Sequence, residues 1–115
     1  LVFGSHSIKL PEGKAKKIMA EDYVDKEVIM GIRPESIHDE ELYIQSMPDS
    51  VIEAKVEVVE MLGSETLLYL FADEVSLTAR VNPRTTARTG DIIRVAFDAN
   101  KIHLFDKDTE KVITN

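Results

Sequence analysis

The sequence predicts an all-β fold with a minor helical part: a small antiparallel barrel with extra N-terminal strands and one short helix. Three observations carry this. Apolar and polar residues alternate with a period of two through most of the second half. Turn-forming residues break these runs at short intervals. No strand–helix–strand repeat occurs anywhere in the chain.

The N-terminal half is the less regular one. "LVFGSHSIKLP" reads as two short strands around Gly4-Ser5-His6, although these three residues also fit an expression scar. Pro11 opens "PEGKAKKIMAEDY", where Ala15, Ile18, Met19 and Asp22 follow a helical spacing. Lys14, Lys16 and Lys17 are expected on its solvated face. "KEVIMGIRPESI" is apolar on both faces of a strand, so a well-buried strand is expected, ended by Pro34 with one helical turn at "PESI". "HDEELYIQSMPDS" reads as an acidic loop, then a brief strand, then a turn at Pro48-Asp49-Ser50.

From residue 51 the signal is clearer. In "VIEAKVEVVEML", Ile52, Ala54, Val56 and Val58 form one face, and Glu53, Lys55 and Glu57 the other. The pattern then changes phase: Val59 and Met61 are apolar, and Glu60 takes the former core side. A period-two strand cannot do this without a bulge or a sharp bend. "ETLLYLFA" is apolar on both faces and needs cover on two sides, from residues 1–50 or from a second subunit. "EVSLTARVN" alternates, with Val75, Leu77, Ala79 and Val81 inward and Ser76, Thr78, Arg80 and Asn82 outward. "DIIRVAFD" and "KIHLFD" are two further strands around Asp98-Ala99-Asn100, and "KVIT" is a last edge strand. Five consecutive strands after residue 50 fit a barrel of the OB type. The chain is expected to be a single domain, 1–115, with residues 1–50 as accessory elements and 51–115 as the OB-like barrel.

Composition narrows the function classes. The 115 residues carry 43% hydrophobic side chains and a net charge of -7, an ordinary globular balance that repels a phosphate backbone. There are no cysteines, which excludes disulfides, thiolate metal sites and cysteine nucleophiles. No apolar run approaches the roughly 20 residues needed to span a bilayer, and no signal-peptide pattern is present. The start at Leu1, without methionine, suggests a fragment of something longer.

No catalytic machinery is visible. Neither phosphate-binding glycine pattern occurs. His6, His38 and His103 have no zinc-ligand spacing, and the acids after His38 read as a flexible loop rather than a cation site. Ser64 sits in a turn beside Glu65 but has no histidine near it in sequence. Arg80, Arg84, Arg88 and Arg94 could line a nucleic-acid groove, but Tyr69, Phe71, Phe97 and Phe105 sit mostly at core positions rather than as stacking platforms. An oxyanion site would draw on Ser64, Thr66 and Arg80.

Four phrases taken in order go further: "GIRPESI", "VEVVEMLGSETLLYL", "AFD" and "HLFD". Together they resemble the C-terminal regulatory region of ATP-binding subunits of bacterial carbohydrate ABC importers, of the maltose and multiple-sugar type. The resemblance implies an OB-like, TOBE-type fold with no enzymatic activity of its own; ATP and magnesium would bind in an ATPase domain absent from this chain. It implies a homodimer, contact with transporter membrane subunits through the parent protein, and in some members a regulatory protein such as one of a phosphotransferase system. It implies a cytoplasmic place at the inner face of the membrane, with no insertion into it and no nucleic-acid partner. Carried over residue by residue, Gly31, Arg33, Pro34 and Glu35 form a structural motif in which Arg33 and Glu35 could pair and fix the turn. Glu60, Gly63, Ser64, Glu65 and Phe105 are the candidate interaction surface, against the plainer reading of turn geometry and core packing. Gly63 is expected at positive φ. The alternatives are a small-ligand module taking an oxyanion or a sugar, and an OB-type nucleic-acid binder.

Overall fold

The computed structural model of the chain describes residues 1–3 and 6–114. Gly4 and Ser5, the tip of the expected first hairpin, lie outside the described residues. The elements run β1 (Val2–Phe3), β2 (His6–Ser7), α1 (Glu12–Ala20), β3 (Val28–Gly31), β4 (Ile37–His38), α2 (Glu41–Ser46), β5 (Val51–Met61), β6 (Thr66–Ala72), β7 (Val75–Val81), β8 (Ile92–Phe97), β9 (His103–Asp106) and β10 (Val112–Thr114). Three 3-10 turns occupy Pro34–Ser36, Pro48–Ser50 and Ala99–Lys101.

The main sheet has the order β4-β8-β5-β6-β7 and is antiparallel throughout. It curves until β4 and the Pro34–Ser36 turn lie against β7, so the barrel is nearly closed. The predicted fold class holds: a strand-dominated, OB-like barrel with small helices. The strand roster differs from the sequence reading. Only four of the strands after residue 50 enter the barrel. The fifth barrel strand is β4, from the N-terminal half, and β9 joins β3 and β10 in a separate three-stranded sheet. These pairings join residues far apart in sequence, which local alternation cannot reveal.

β5 is the long strand that the alternation predicts. It pairs with β8 through Val51–Lys55 and with β6 through Lys55–Met61. The register shifts between Val56 and Val58, the predicted bulge. The phase change falls one residue earlier than the sequence suggests. Ile52, Ala54 and Val56 are buried, but Val58 is already outside at 51% exposure. Two consecutive residues, Glu57 and Val58, therefore face solvent, and Glu60 is exposed rather than inward.

Inside the barrel, Val56, Leu68, Leu70, Ala79, Val95 and Phe97 are buried, and Ile8, Ile102, Leu104 and Ile113 extend the same core towards the second sheet and the N-terminal hairpin. Side chains of this kind contribute roughly 1.5–3 kcal/mol each on full burial. The hairpin is held by reciprocal backbone bonds between Leu1 and Ile8, and Lys9 N donates to Asp49 O at 3.0 Å.

Three local expectations are corrected. The stretch read as a brief strand is helix α2: it buries only Ile44, and Gln45 donates across one turn to Glu41 at 3.4 Å. Acids before and in its first turn suit a helix N-terminus. β3 is half-buried rather than well buried, with Ile29 exposed, because it lies at an edge of the second sheet. In α1, Lys16 and Lys17 lie on the solvated face, paired with Glu12 and Glu21. Lys14, by contrast, is 7% exposed, and its Nζ has no hydrogen-bond partner among the described residues.

Gly31 ends β3 opposite His103. A Cβ there would stand 3.1 Å from Phe105 Cε2, held by the same strand pair, whereas one at Gly13 in α1 would meet nothing within 4 Å. Gly31→Ala is expected to lose about 1 kcal/mol by overpacking. Gly13→Ala is expected to gain about 0.5 kcal/mol through helix propensity and a less free unfolded chain. Urea denaturation of the two variants checks the opposite signs.

Candidate functional site

Two regions carry the residues singled out in the sequence. The first is the corner between β5 and β6. Gly63 has φ +89°, the left-handed conformation expected of it, and Leu62 N donates to Glu65 O at 2.9 Å to close the turn. Glu60 Oε2 accepts from Tyr69 Oη at 3.2 Å, and Arg80 Nε lies 3.3 Å from Glu65 Oε2. Ser64 is exposed. The corner is thus tied to β6 and β7 by polar contacts on the outer face.

That outer face is apolar at its centre. Cross-strand pairs Lys55–Ile92, Lys55–Phe71, Val58–Tyr69 and Glu60–Leu67 set the side chains in rows. Ile92 is 71% and Phe71 39% exposed. Residues 1–50 leave these side chains open, because they are used at the sheet edges and in the second sheet.

The second region is a cleft of about 530 Å³ lined by Arg33, Glu35, Ser36, His38, Tyr43, Asp98, Asn100, Lys101 and His103. Three of the sequence phrases meet here: "GIRPESI" through the Pro34–Ser36 turn, "AFD" through Asp98, and "HLFD" through His103. The backbone joins them: Asp98 N donates to Ser36 O at 2.9 Å. His38 and Tyr43 stack with ring centroids 3.9 Å apart and planes 8° apart. Asp98 Oδ1 accepts from Asn100 N at 3.2 Å and caps the following 3-10 turn. The expected Arg33–Glu35 ion pair is not formed among the described residues. Both side chains are exposed at the rim, where hydration competes well with a surface pair.

The structure therefore brings Gly31 together with Phe105, and Arg33 and Glu35 together with His103. It puts Glu60, Gly63, Ser64 and Glu65 on the other sheet, away from Phe105. Ser64, Thr66 and Arg80 do not make an anion site: Thr66 is 1% exposed and Arg80 faces Glu65. Of the other arginines, Arg94 lies 3.5 Å from Glu41, and Arg88 donates to the carbonyls of Thr85 and Ala87. No group of acids and histidines among the described residues is arranged to hold a metal ion. His38, Tyr43, Asn100 and Lys101 were not legible as site residues, since they come from separate segments. The only hint was that His38 directly follows "GIRPESI" and His103 opens "HLFD".

Asp106, the last residue of "HLFD", locks the second sheet. Its Oδ2 accepts from Tyr23 Oη at 2.6 Å, and its Oδ1 accepts from the backbone N–H groups of Asp108 and Thr109. The Tyr23 hydroxyl first, then these two amides, hold the carboxyl at about 2, below its ordinary 3.8. Lys107 forms an ion pair with Glu27 alongside.

The fold and these phrases define a class, and comparison with known proteins places it. The TOBE domain family matches residues 30–105, and the chain belongs to that family. It is 47% identical over 107 residues to the oligosaccharides import ATP-binding protein MsmX of Bacillus subtilis, covering 93% of this chain and 29% of that protein. It is 37% identical to the multiple sugar-binding transport ATP-binding protein MsmK of Streptococcus mutans, over 93% of this chain and 28% of the relative. It is also 37% identical to the trehalose/maltose import ATP-binding protein MalK of Thermococcus litoralis, over 96% of this chain and 30% of the relative. The chain spans less than a third of the length of these curated relatives. No helix among the described residues is long and apolar enough to cross a membrane.

The lowered value of Asp106 sets a pH dependence. Its contribution to stability is complete above the unfolded carboxyl value of 3.8 and is lost as pH falls through about 2. Asp106→Asn is expected to lower the melting temperature at neutral pH and to flatten the acid limb of the stability profile. Thermal melts of both proteins between neutral pH and pH 2 check this.

Proposed function

We propose that this chain, 1–115, is the regulatory and dimerisation domain of the ATP-binding subunit of a bacterial sugar importer. It is non-catalytic. ATP and its magnesium ion bind in a separate ATPase domain of the parent protein, which works in the cytoplasm at the inner face of the membrane, against the transporter's membrane subunits. A second copy is the first partner of this domain, and a regulatory protein is a further one. Neither nucleic acid nor direct membrane insertion enters this reading.

The observation that carries it is the similarity over more than nine-tenths of the chain to proteins named for ATP binding in sugar import. The surface supports the contact role. A sheet face with Val58, Phe71 and Ile92 open is hydrophobic surface that a partner covers. Glu60, Gly63, Ser64 and Glu65 shape the corner beside that face. Phe105, with Gly31, Arg33, Pro34 and Glu35, belongs to the other sheet and the cleft.

Sedimentation equilibrium over a range of concentrations tests the dimer. The chain is expected to self-associate, and Val58→Glu and Phe71→Glu are each expected to weaken association by about tenfold or more. A chain that stays monomeric at every concentration, or variants that associate like wild type, would contradict this use of the face.

A further inference from the structure

The cleft lined by the three sequence phrases has features that no dimer contact requires. Two cations, Arg33 and Lys101, and two carboxylates, Glu35 and Asp98, line it together. Among the described residues, Arg33, Lys101 and Glu35 make no ion pair, although they share one cleft. Elsewhere on the surface Lys16, Lys17, Lys26, Arg80, Arg94 and Lys107 are paired with carboxylates. His103 also lines the cleft.

These groups retain both donor and acceptor capacity. A strong anion would satisfy the guanidinium and ammonium but be repelled by the carboxylates. A hydroxyl satisfies both kinds at once, donating to a carboxylate and accepting from a cation. It also satisfies a ring nitrogen in either tautomer. The stacked His38–Tyr43 pair adds a flat wall, and Ser36 and Asn100 add further polar groups. At about 530 Å³ the cleft is within the usual size range of small-ligand sites.

We propose that this cleft binds a neutral, hydroxyl-rich small molecule, a mono- or disaccharide, with Arg33, Glu35, Lys101 and His103 as its hydrogen-bonding groups and the His38–Tyr43 pair as its ring wall. The proposal uses only the cleft and does not rest on the importer reading.

Calorimetric and ligand-observed NMR titrations of the chain with maltose, trehalose, glucose 6-phosphate and inorganic phosphate test it. A neutral sugar is expected to bind with little dependence on salt. Glu35→Gln and Tyr43→Ala, both at exposed positions, are each expected to weaken it by about tenfold or more, with an unchanged circular dichroism spectrum and melting temperature. Binding of the phosphate compounds alone, weakening with salt, would make this an anion site and overturn the proposal. So would the absence of binding at tens of millimolar, or sugar binding that survives both substitutions.

Discussion

β5 is hydrogen-bonded to β8 through its first half and to β6 through its second, so one strand carries both parts of the barrel sheet. The bulge between Val56 and Val58 separates the two halves. A bulge adds a residue to one strand, bends it and changes which side chains face inward. Before it, Ile52, Ala54 and Val56 enter the core; after it, Val58 and Glu60 lie outside. The outer face of β6 owes its composition to that shift. Val58 stands beside Tyr69, and Glu60 can accept the Tyr69 hydroxyl. An unbroken strand would have pointed Glu60 into the barrel, where an unpaired carboxylate is costly.

The rest of the molecule is organised around the barrel edges. The N-terminal half supplies β4 to one edge and β3 to the second sheet, so neither half of the chain completes its sheets without the other. The pairing of β3 with β9 seats Phe105 over Gly31, where a Cβ would come within 3.1 Å of the ring. The Tyr23–Asp106 bond ties the segment after α1 to the end of β9. Through these links, residues scattered along the sequence arrive in one cleft: His38 and His103 from strands, and the others from the turns and the helix beside them.

Much of the barrel was legible because β5, β6 and β7 each bury one face. Alternation in Val75–Val81 and in Ile52–Val56 marks both strand and core side directly. The phase change in β5 was visible too, but misplaced by one residue, since Val58 is apolar and gives no sign of facing out. α2 was misread because Leu42, Tyr43 and Ile44 are consecutive and apolar, which mimics a strand; only Ile44 is buried. Lys14 looked like its neighbours Lys16 and Lys17, and helical spacing alone did not separate them. The cleft was not legible at all. Its residues come from segments around 35, 40 and 100, and only the long-range pairings of β3 with β9 and β4 with β8 bring them together.

Because the chain has no native cysteine, single cysteines can read the facing of β5 directly. Rates of maleimide labelling at Val56→Cys, Glu57→Cys, Val58→Cys, Val59→Cys and Glu60→Cys test the bulge that the outer face depends on. Slow labelling is expected at 56, fast labelling at both 57 and 58, intermediate labelling at 59 and fast labelling at 60. Strict alternation, with 58 and 60 protected and 57 and 59 reactive, would contradict it.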